Sequence, residues 1–235
     1  MLTAPQIVQS QQANQAMIGS HLKALADTKG PLRILEAGCG RAWAFRDLHL
    51  DMTLVGVDLD AQAMEARKNI ERDLDETIVG DLRTVSLPAD SFDVIYCSYV
   101  LEHVRSVSTV LANFARWLRK DGLLIVLVPD GRSVFGLLTR ATPHWFHIFV
   151  YRYVWGYRLA GTPGHGPYPT YYERPISAPG LLEFAKTANF EVVELRGSIN
   201  MTAARFRRLF KVIQFLTLGY SRADHSDLVV ILRKR

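Results

Sequence analysis

The chain has 235 residues, 49% of them hydrophobic, which suits one α/β domain with an insertion and excludes a disordered or purely fibrous class. Its 28 Lys and Arg against 23 Asp and Glu leave a net charge of +5, which admits nucleic acid, an anionic membrane or plain solubility without choosing among them. Two cysteines make no disulfide framework, no apolar run reaches the roughly eighteen residues of a membrane span, and no basic-then-apolar signal opens the chain, so a soluble, reduced, cytoplasmic protein is expected.

Residues 1–29 read as a polar, glutamine-rich arm leading into a packing helix, with Ile18, Leu22 and Leu25 at helical spacing. Next, Arg33 to Leu35 reads as a buried parallel strand that runs through Glu36 into the turn Gly38-Cys39-Gly40, after which Ala42 to Leu48 is able to start a helix. The two glycines allow a sharp reversal and a close backbone approach to a ligand. A dinucleotide fingerprint needs a small residue three positions after the second glycine, and Trp43 stands there, so the ligand is expected to lack a pyrophosphate. Glu36 is a poor neighbour for phosphate and a good one for a cation. An adenosine ligand with a cationic amino-acid tail, S-adenosylmethionine, meets both conditions.

The second strand, Thr53 to Asp58, ends in a carboxylate about twenty residues beyond the loop, where a doubly wound sheet places the acid that accepts ribose hydroxyls. Asp60 is free to cap the following helix through Met64 and Ile70. A third strand, Thr77 to Asp81, again ends in an acid suited to an adenine amino group. A fourth runs from Asp93 to Ser98, and the helix from Val107 to Leu118 is stopped by Asp121-Gly122. A fifth, strongly apolar strand spans Leu123 to Val128. Strands alternating with helices at this spacing predict a doubly wound α/β sheet.

Taken together, Glu36-Ala-Gly-Cys-Gly40, Gly56-Val-Asp58, Gly80-Asp81-Leu82, Phe92-Asp-Val-Ile95 with Val100-Leu-Glu-His103-Val, and Leu118-Arg-Lys-Asp-Gly-Leu-Leu resemble the motifs of class I S-adenosylmethionine-dependent methyltransferases, in the type 11 and ubiquinone-biosynthesis-like group. The resemblance covers residues 33–129, the cofactor half. It implies a Rossmann-like sheet of seven mostly parallel strands, the last antiparallel beside the fifth. Leu181 to Ala188 then supplies a helix, Phe190 to Leu195 the sixth strand and Asp227 to Leu232 the seventh. It also implies that Glu36, Gly38 and Gly40 meet the methionine moiety, Asp58 the ribose, and Asp81 with Leu82 the adenine, with Cys39, Leu59 and Ser98 completing the cofactor set. Some relatives bind a metal through this Glu-His pair and a glutamate three residues before the Glu. Tyr99 occupies that position here, so no metal is expected.

His103 is the candidate base, because imidazole titrates near neutrality and the loop after the fourth strand faces the transferred methyl group in this fold; orienting the turn is the equal alternative. Substrate choice is assigned to residues 130–177, an aromatic lid, and the candidate acceptor contacts are Tyr99 together with His144, Trp145, His147, Tyr151, His165, Tyr171 and Tyr172 of the lid. Residues 202–219 read as a basic amphipathic helix that covers the core with Phe206, Leu209, Phe210, Ile213 and Leu216, or that touches the inner face of a membrane. The expected activity is methylation of a small-molecule acceptor, an oxygen of a lipid-linked, polyketide-like or saccharide precursor. The rivals are an RNA or protein methyltransferase and a non-catalytic module that binds the cofactor or a membrane. Strand four lacks the Asn/Asp-Pro-Pro-Tyr/Phe motif of amino-group methylators, which counts against nucleic acid.

Overall fold

The strand β2 (Leu32–Ala37) sends Ile34 into one apolar layer and Leu35 into another, because successive strand residues face opposite sides. In the computed structural model, which describes residues 5–162 and 165–235, the same alternation runs through β3 (Met52–Asp58), β5 (Phe92–Ser98) and β6 (Leu118–Pro129). Buried on both faces, these strands carry the near-continuous apolar runs by which they are legible in the sequence. Helices α3 (Val107–Trp117) and α6 (Ala178–Thr187) cover one face through Val110, Phe114 and Leu181. Helix α1 (Gln11–Lys29) covers the other with Ile18 and Leu22.

With β1 (Ile7–Gln9), β4 (Glu76–Val79), β7 (Phe190–Ser198) and β8 (Asp227–Lys234), the strand order is β1-β7-β8-β6-β5-β2-β3-β4. Strand β8 runs antiparallel between β6 and β7, and every other pairing is parallel. The chain runs outward from β2 to β3 and β4 and then crosses back to β5 on the other side of β2, so the strand order reverses there. A crevice therefore opens at the carboxyl end of β2, where the Gly-x-Gly turn lies.

Five expectations are corrected. The sheet has eight strands and not seven, because Ile7–Gln9, inside the arm read as polar, pairs in parallel with β7 at Arg196 to Ser198; three half-exposed residues carry no periodic signal. No α-helix follows the glycine turn. Trp43 and Phe45 both turn into the core, meeting Tyr96 edge-on at 5.5 and 5.3 Å, and a spacing of two cannot be served by one helix face, so only a short 3-10 turn forms at Arg46–Leu48. Asp60 does cap α2 (Ala61–Ala66), accepting from the Gln62 and Ala63 amides, but the helix widens into a π turn at Arg67–Glu71 that rotates Arg67 inward and leaves Ile70 exposed. Helix α3 ends at Trp117, and Asp121-Gly122 lies instead in a bulge of β6, where Phe92 pairs with Leu118 but Val94 pairs with Leu123. Finally, 202–219 is two helices, α7 (Met201–Arg205) and α8 (Arg207–Leu216), and of the five expected covering residues only Phe210 is fully buried.

The lid contains α4 (Val134–Ala141), α5 (His144–Phe149) and a π turn at Val150–Val154, followed by irregular chain. Cys39 and Cys97 are buried free thiols. No helix among the described residues is long and apolar enough to cross a membrane.

Candidate active site

The turn after β2 holds Gly38 and Gly40 at positive φ, 74° and 52°. A Cβ on Gly38 would collide with Val100, so glycine is required there by space as well as by dihedral. That contact seats the turn after β5 on the turn after β2. Gly40 faces open space, and its amide donates to Asp58 Oδ2 at 2.9 Å while the Asp60 amide donates to Oδ1 at 2.9 Å. Each Asp58 oxygen retains a second lone pair for a ligand hydroxyl. Leu59, the next residue, is 73% exposed, an apolar surface beside the acid.

Glu36, expected at the methionine moiety, is paired with an arginine beneath the loop. It is 4% exposed, and its Oε2 lies 2.6 Å from Nη1 of Arg67, which also donates to the Cys39 carbonyl at 2.7 Å. Burial pushes the Glu36 carboxyl up to about 8, and Arg67 opposes that shift. Arg67 Nε donates to Asp73 Oδ1, and Asp73 Oδ2 accepts from the Trp43 amide and from Arg46. This chain of charges, absent from the sequence reading, fastens the loop from beneath where a helix was expected. Asp81 is held by Arg83, which keeps its carboxyl below the usual range; Leu82 is buried in the core, and its carbonyl accepts from Asn113. Ser98 ends β5, two residues after Tyr96 on the same face of the strand.

His103 sits in the 3-10 turn Leu101–His103. Its Nδ1 lies 2.8 Å from the Pro169 carbonyl, which can only accept, so Nδ1 carries the proton and Nε2 presents its lone pair. Burial, reinforced by the nearby His144 ring and opposed by the Pro169 bond, holds the imidazole below its ordinary pKa and therefore neutral near neutral pH. The lid is stitched onto this turn. The Tyr171 amide donates to the Glu102 carbonyl at 2.7 Å, and Glu173 accepts from the Ser106 and Val107 amides at 2.7 and 2.9 Å, capping α3 from a distance.

A cavity of about 250 Å³ lies against this seam, lined by Thr139, Arg140, Thr142, His144, His147 and the segment Pro169 to Tyr172. It brings together four of the lid residues read as acceptor contacts: His144, His147, Tyr171 and Tyr172. Three others lie elsewhere. Trp145 points outward at 67% exposure, Tyr151 packs on Trp155 and Tyr157, and His165 belongs to the turn at 161–166. Tyr99, the residue after β5, adopts φ 54°, and burial pushes its hydroxyl up. Two acids that sequence reasoning left without an acceptor-side role sit close by. Glu102 is buried with Oε2 unpartnered, its carboxyl pushed up to about 8 by burial, and Asp227, at the start of β8, is raised to about 6 for the same reason. The Glu102 signal was present as the residue before His103; Asp227 is brought in only by the antiparallel strand.

Residues 35–126 match the model of a family described as a methyltransferase domain. Those residues form a methyltransferase domain. A probable S-adenosylmethionine-dependent methyltransferase of Mycolicibacterium smegmatis is 26% identical over 167 residues, covering 70% of this chain and 54% of that protein. A ubiquinone biosynthesis O-methyltransferase of Bradyrhizobium diazoefficiens is 30% identical over 102 residues, covering 41% of this chain and 40% of its own. The chain therefore spans about half the length, or less, of these two relatives. A solved S-adenosylmethionine-dependent methyltransferase structure from Mesorhizobium loti superposes with a TM-score of 0.56 at 17% identity, covering 92% of this chain and 96% of that one, which places the fold. S-adenosylmethionine is the cofactor of the methyltransferase domain. The positive-φ glycines, the open side of Gly40, the spare lone pairs of Asp58 and the exposed Leu59 fit its adenosine half.

Proposed function

We propose that the chain methylates an oxygen of a small, amphiphilic acceptor held in the cavity between α4, α5 and the segment Pro169 to Tyr172. The observation that supports this reading is the shared Pro169, which lines the cavity and also fixes the His103 tautomer: His103 lies behind that wall and not in it, and in this reading an acceptor hydroxyl reaches past Pro169 to a neutral imidazole whose Nε2 takes its proton. Bound S-adenosylmethionine supplies the electrophilic methyl group. The protein's own contribution is then placement, which is worth several kcal/mol as effective molarity, together with proton removal.

In this reading Asp58 accepts the ribose hydroxyls and Gly38 and Gly40 admit the ligand backbone-close, while Leu59, Asp81 and Leu82 border the base. Glu36 and Cys39 hold the loop through Arg67. Tyr172 and His144 orient the acceptor, and the lid's aromatic content favours a lipid-linked, polyketide-like or saccharide precursor over a small ion. Ubiquinone biosynthesis and malonyl-[acyl-carrier protein] O-methyltransferases among the relatives support oxygen as the receiving atom, against one phosphoethanolamine N-methyltransferase matched over a similar length. The test is incubation of the purified protein with methyl-labelled S-adenosylmethionine and cell extract, followed by partition of the label. Label in lipid or small-molecule fractions, made alkali-stable as an ether or alkali-labile as an ester, supports the reading; label in RNA or protein replaces it.

A further inference from the structure

Two segments that pack on one another form a cap beside the acceptor cavity. The Val134 amide donates to the Arg222 carbonyl and the Arg222 amide to that of Arg132, while Val134, Ala203, Phe210 and Ala223 make a separate small core. The cap's charge is one-sided. Residues 131–172 contain four arginines and no Asp or Glu, and residues 199–224 contain five Lys and Arg against the single acid Asp224. Because the whole chain has 28 basic and 23 acidic residues, everything outside these two segments holds 19 basic against 22 acidic, a net charge of −3 beside a cap of +8.

The same cap leaves large apolar side chains in solvent. On α5 and the turn after it, Trp145, Phe149 and Tyr153 share the outer face, with the Phe149 and Tyr153 rings 5.2 Å apart. On α8, Phe210 faces the cap core, Leu209, Val212 and Leu216 share a second, exposed flank, and Arg207, Arg208 and Lys211 form a third. Phe215 is 79% and Leu218 96% exposed, and both wall a groove of about 660 Å³ beside Arg207 and Lys211. The carboxylate at this groove, Asp224, is engaged by His225 and Arg222. Exposure on this scale marks a docking surface.

We propose that the cap docks on an anionic lipid bilayer, seating its aromatic and aliphatic side chains at the headgroup boundary while the arginines and Lys211 meet lipid phosphates. Aromatic rings beside basic residues are what that boundary rewards. A second copy of the chain is a poor occupant, because two faces of +8 repel. Nucleic acid fits the face less fully: Trp145, Phe149 and Tyr153 offer stacking planes, but Leu209, Val212, Leu216 and Leu218 are an exposed aliphatic surface that bases and phosphates leave uncovered. Docking does not rest on the methyl-transfer reading, but it would bring the acceptor cavity to a lipid surface.

The experiment is flotation of the full chain with phosphatidylcholine vesicles, with and without phosphatidylglycerol. The chain is expected to float with the anionic vesicles at low salt, to be released as salt rises, and to stay behind with phosphatidylcholine alone. Phe215→Ser with Leu218→Ser, and separately Phe149→Ser with Tyr153→Ser, should each weaken partition about tenfold. Arg207→Glu with Lys211→Glu should remove the preference for anionic lipid. Circular dichroism and titration with S-adenosylmethionine in the absence of vesicles identify variants that remain folded. Failure of the native chain to float with anionic vesicles overturns the proposal, as does undiminished flotation of the folded variants. A dimer in sedimentation velocity that the serine pairs dissolve would give the face to a second copy instead. A native chain that floats yet binds no S-adenosylmethionine would leave docking standing and remove the proposed activity.

Discussion

The cofactor half and the cap are built on opposite principles. In the cofactor half, parallel strands are buried on both faces, and the loop that meets the ligand is anchored from below by Glu36, Arg67 and Asp73. In the cap, short helices share only the small core around Val134 and Phe210, and most large side chains of α5 and α8 face solvent. One half holds its geometry through its own interior; the other is finished only against something else. A conserved chemical step and a variable acceptor would call for that division, and it explains why family likeness is concentrated in residues 35–126.

The sharpest way to break the contrast is from beneath the loop. Arg67→Met removes a fully buried guanidinium and strands the carboxylates of Glu36 and Asp73, so chemical denaturation should report a loss of about 3 to 5 kcal/mol with cofactor affinity falling alongside. The cap should be little perturbed, which near-ultraviolet circular dichroism of its tryptophans would report. At the seam, His103→Ala should lower kcat about a hundredfold while leaving the S-adenosylmethionine dissociation constant unchanged by titration calorimetry. Loss of both together would assign His103 to the turn and not to the reaction.

Glu102 sharpens the comparison by pH. Burial holds its carboxyl protonated up to about 8, whereas an unfolded carboxyl titrates near 4.5, so the native state keeps a proton the unfolded state has released. Its contribution to stability therefore falls as pH rises between those two values. Glu102→Gln should flatten that part of the stability profile and gain about 1 to 2 kcal/mol at the alkaline end, read by thermal unfolding across the window. The smallest effect belongs to the staple from the lid. Glu173→Ala leaves the Ser106 and Val107 amides without their acceptor, and about 1 kcal/mol should be lost, with faster proteolysis in residues 130–172 as the local sign.

Much of the cofactor half was legible because its signals are local. Glu36, the two glycines, Asp58 and Asp81 each terminate an apolar run, and chain order alone brings such termini to one sheet edge. Asp60's cap was equally legible. The missing helix after Gly40 was not, because Trp43 and Phe45 satisfy a helical composition while their burial against Tyr96 dictates an irregular path. Arg67 was hidden by a π turn that changes which residue faces inward. In the cap, the spacing of Leu209, Val212 and Leu216 is identical whether that flank meets a core or open solvent, so periodicity predicted a cover where the structure leaves a surface. His144, His147, Tyr171 and Tyr172 were recognised by type, and their convergence depended on the Tyr171 and His103 hydrogen bonds to distant backbone, which no spacing encodes.

The antiparallel strand β8 has a consequence for how the molecule comes into being. Residues 227–234 separate β6 from β7 in the sheet, so until they are in place β1 and β7 have no attachment to the other five strands through backbone pairing. During synthesis, the cofactor half can assemble as soon as β6 has left the ribosome, whereas the edge that carries Asp227 waits for nearly all of these 235 residues to be made. A nascent chain arrested before Asp227 would thus present a completed donor cradle with an unclosed β6 edge, an aggregation-prone stage at which a chaperone has the most to protect.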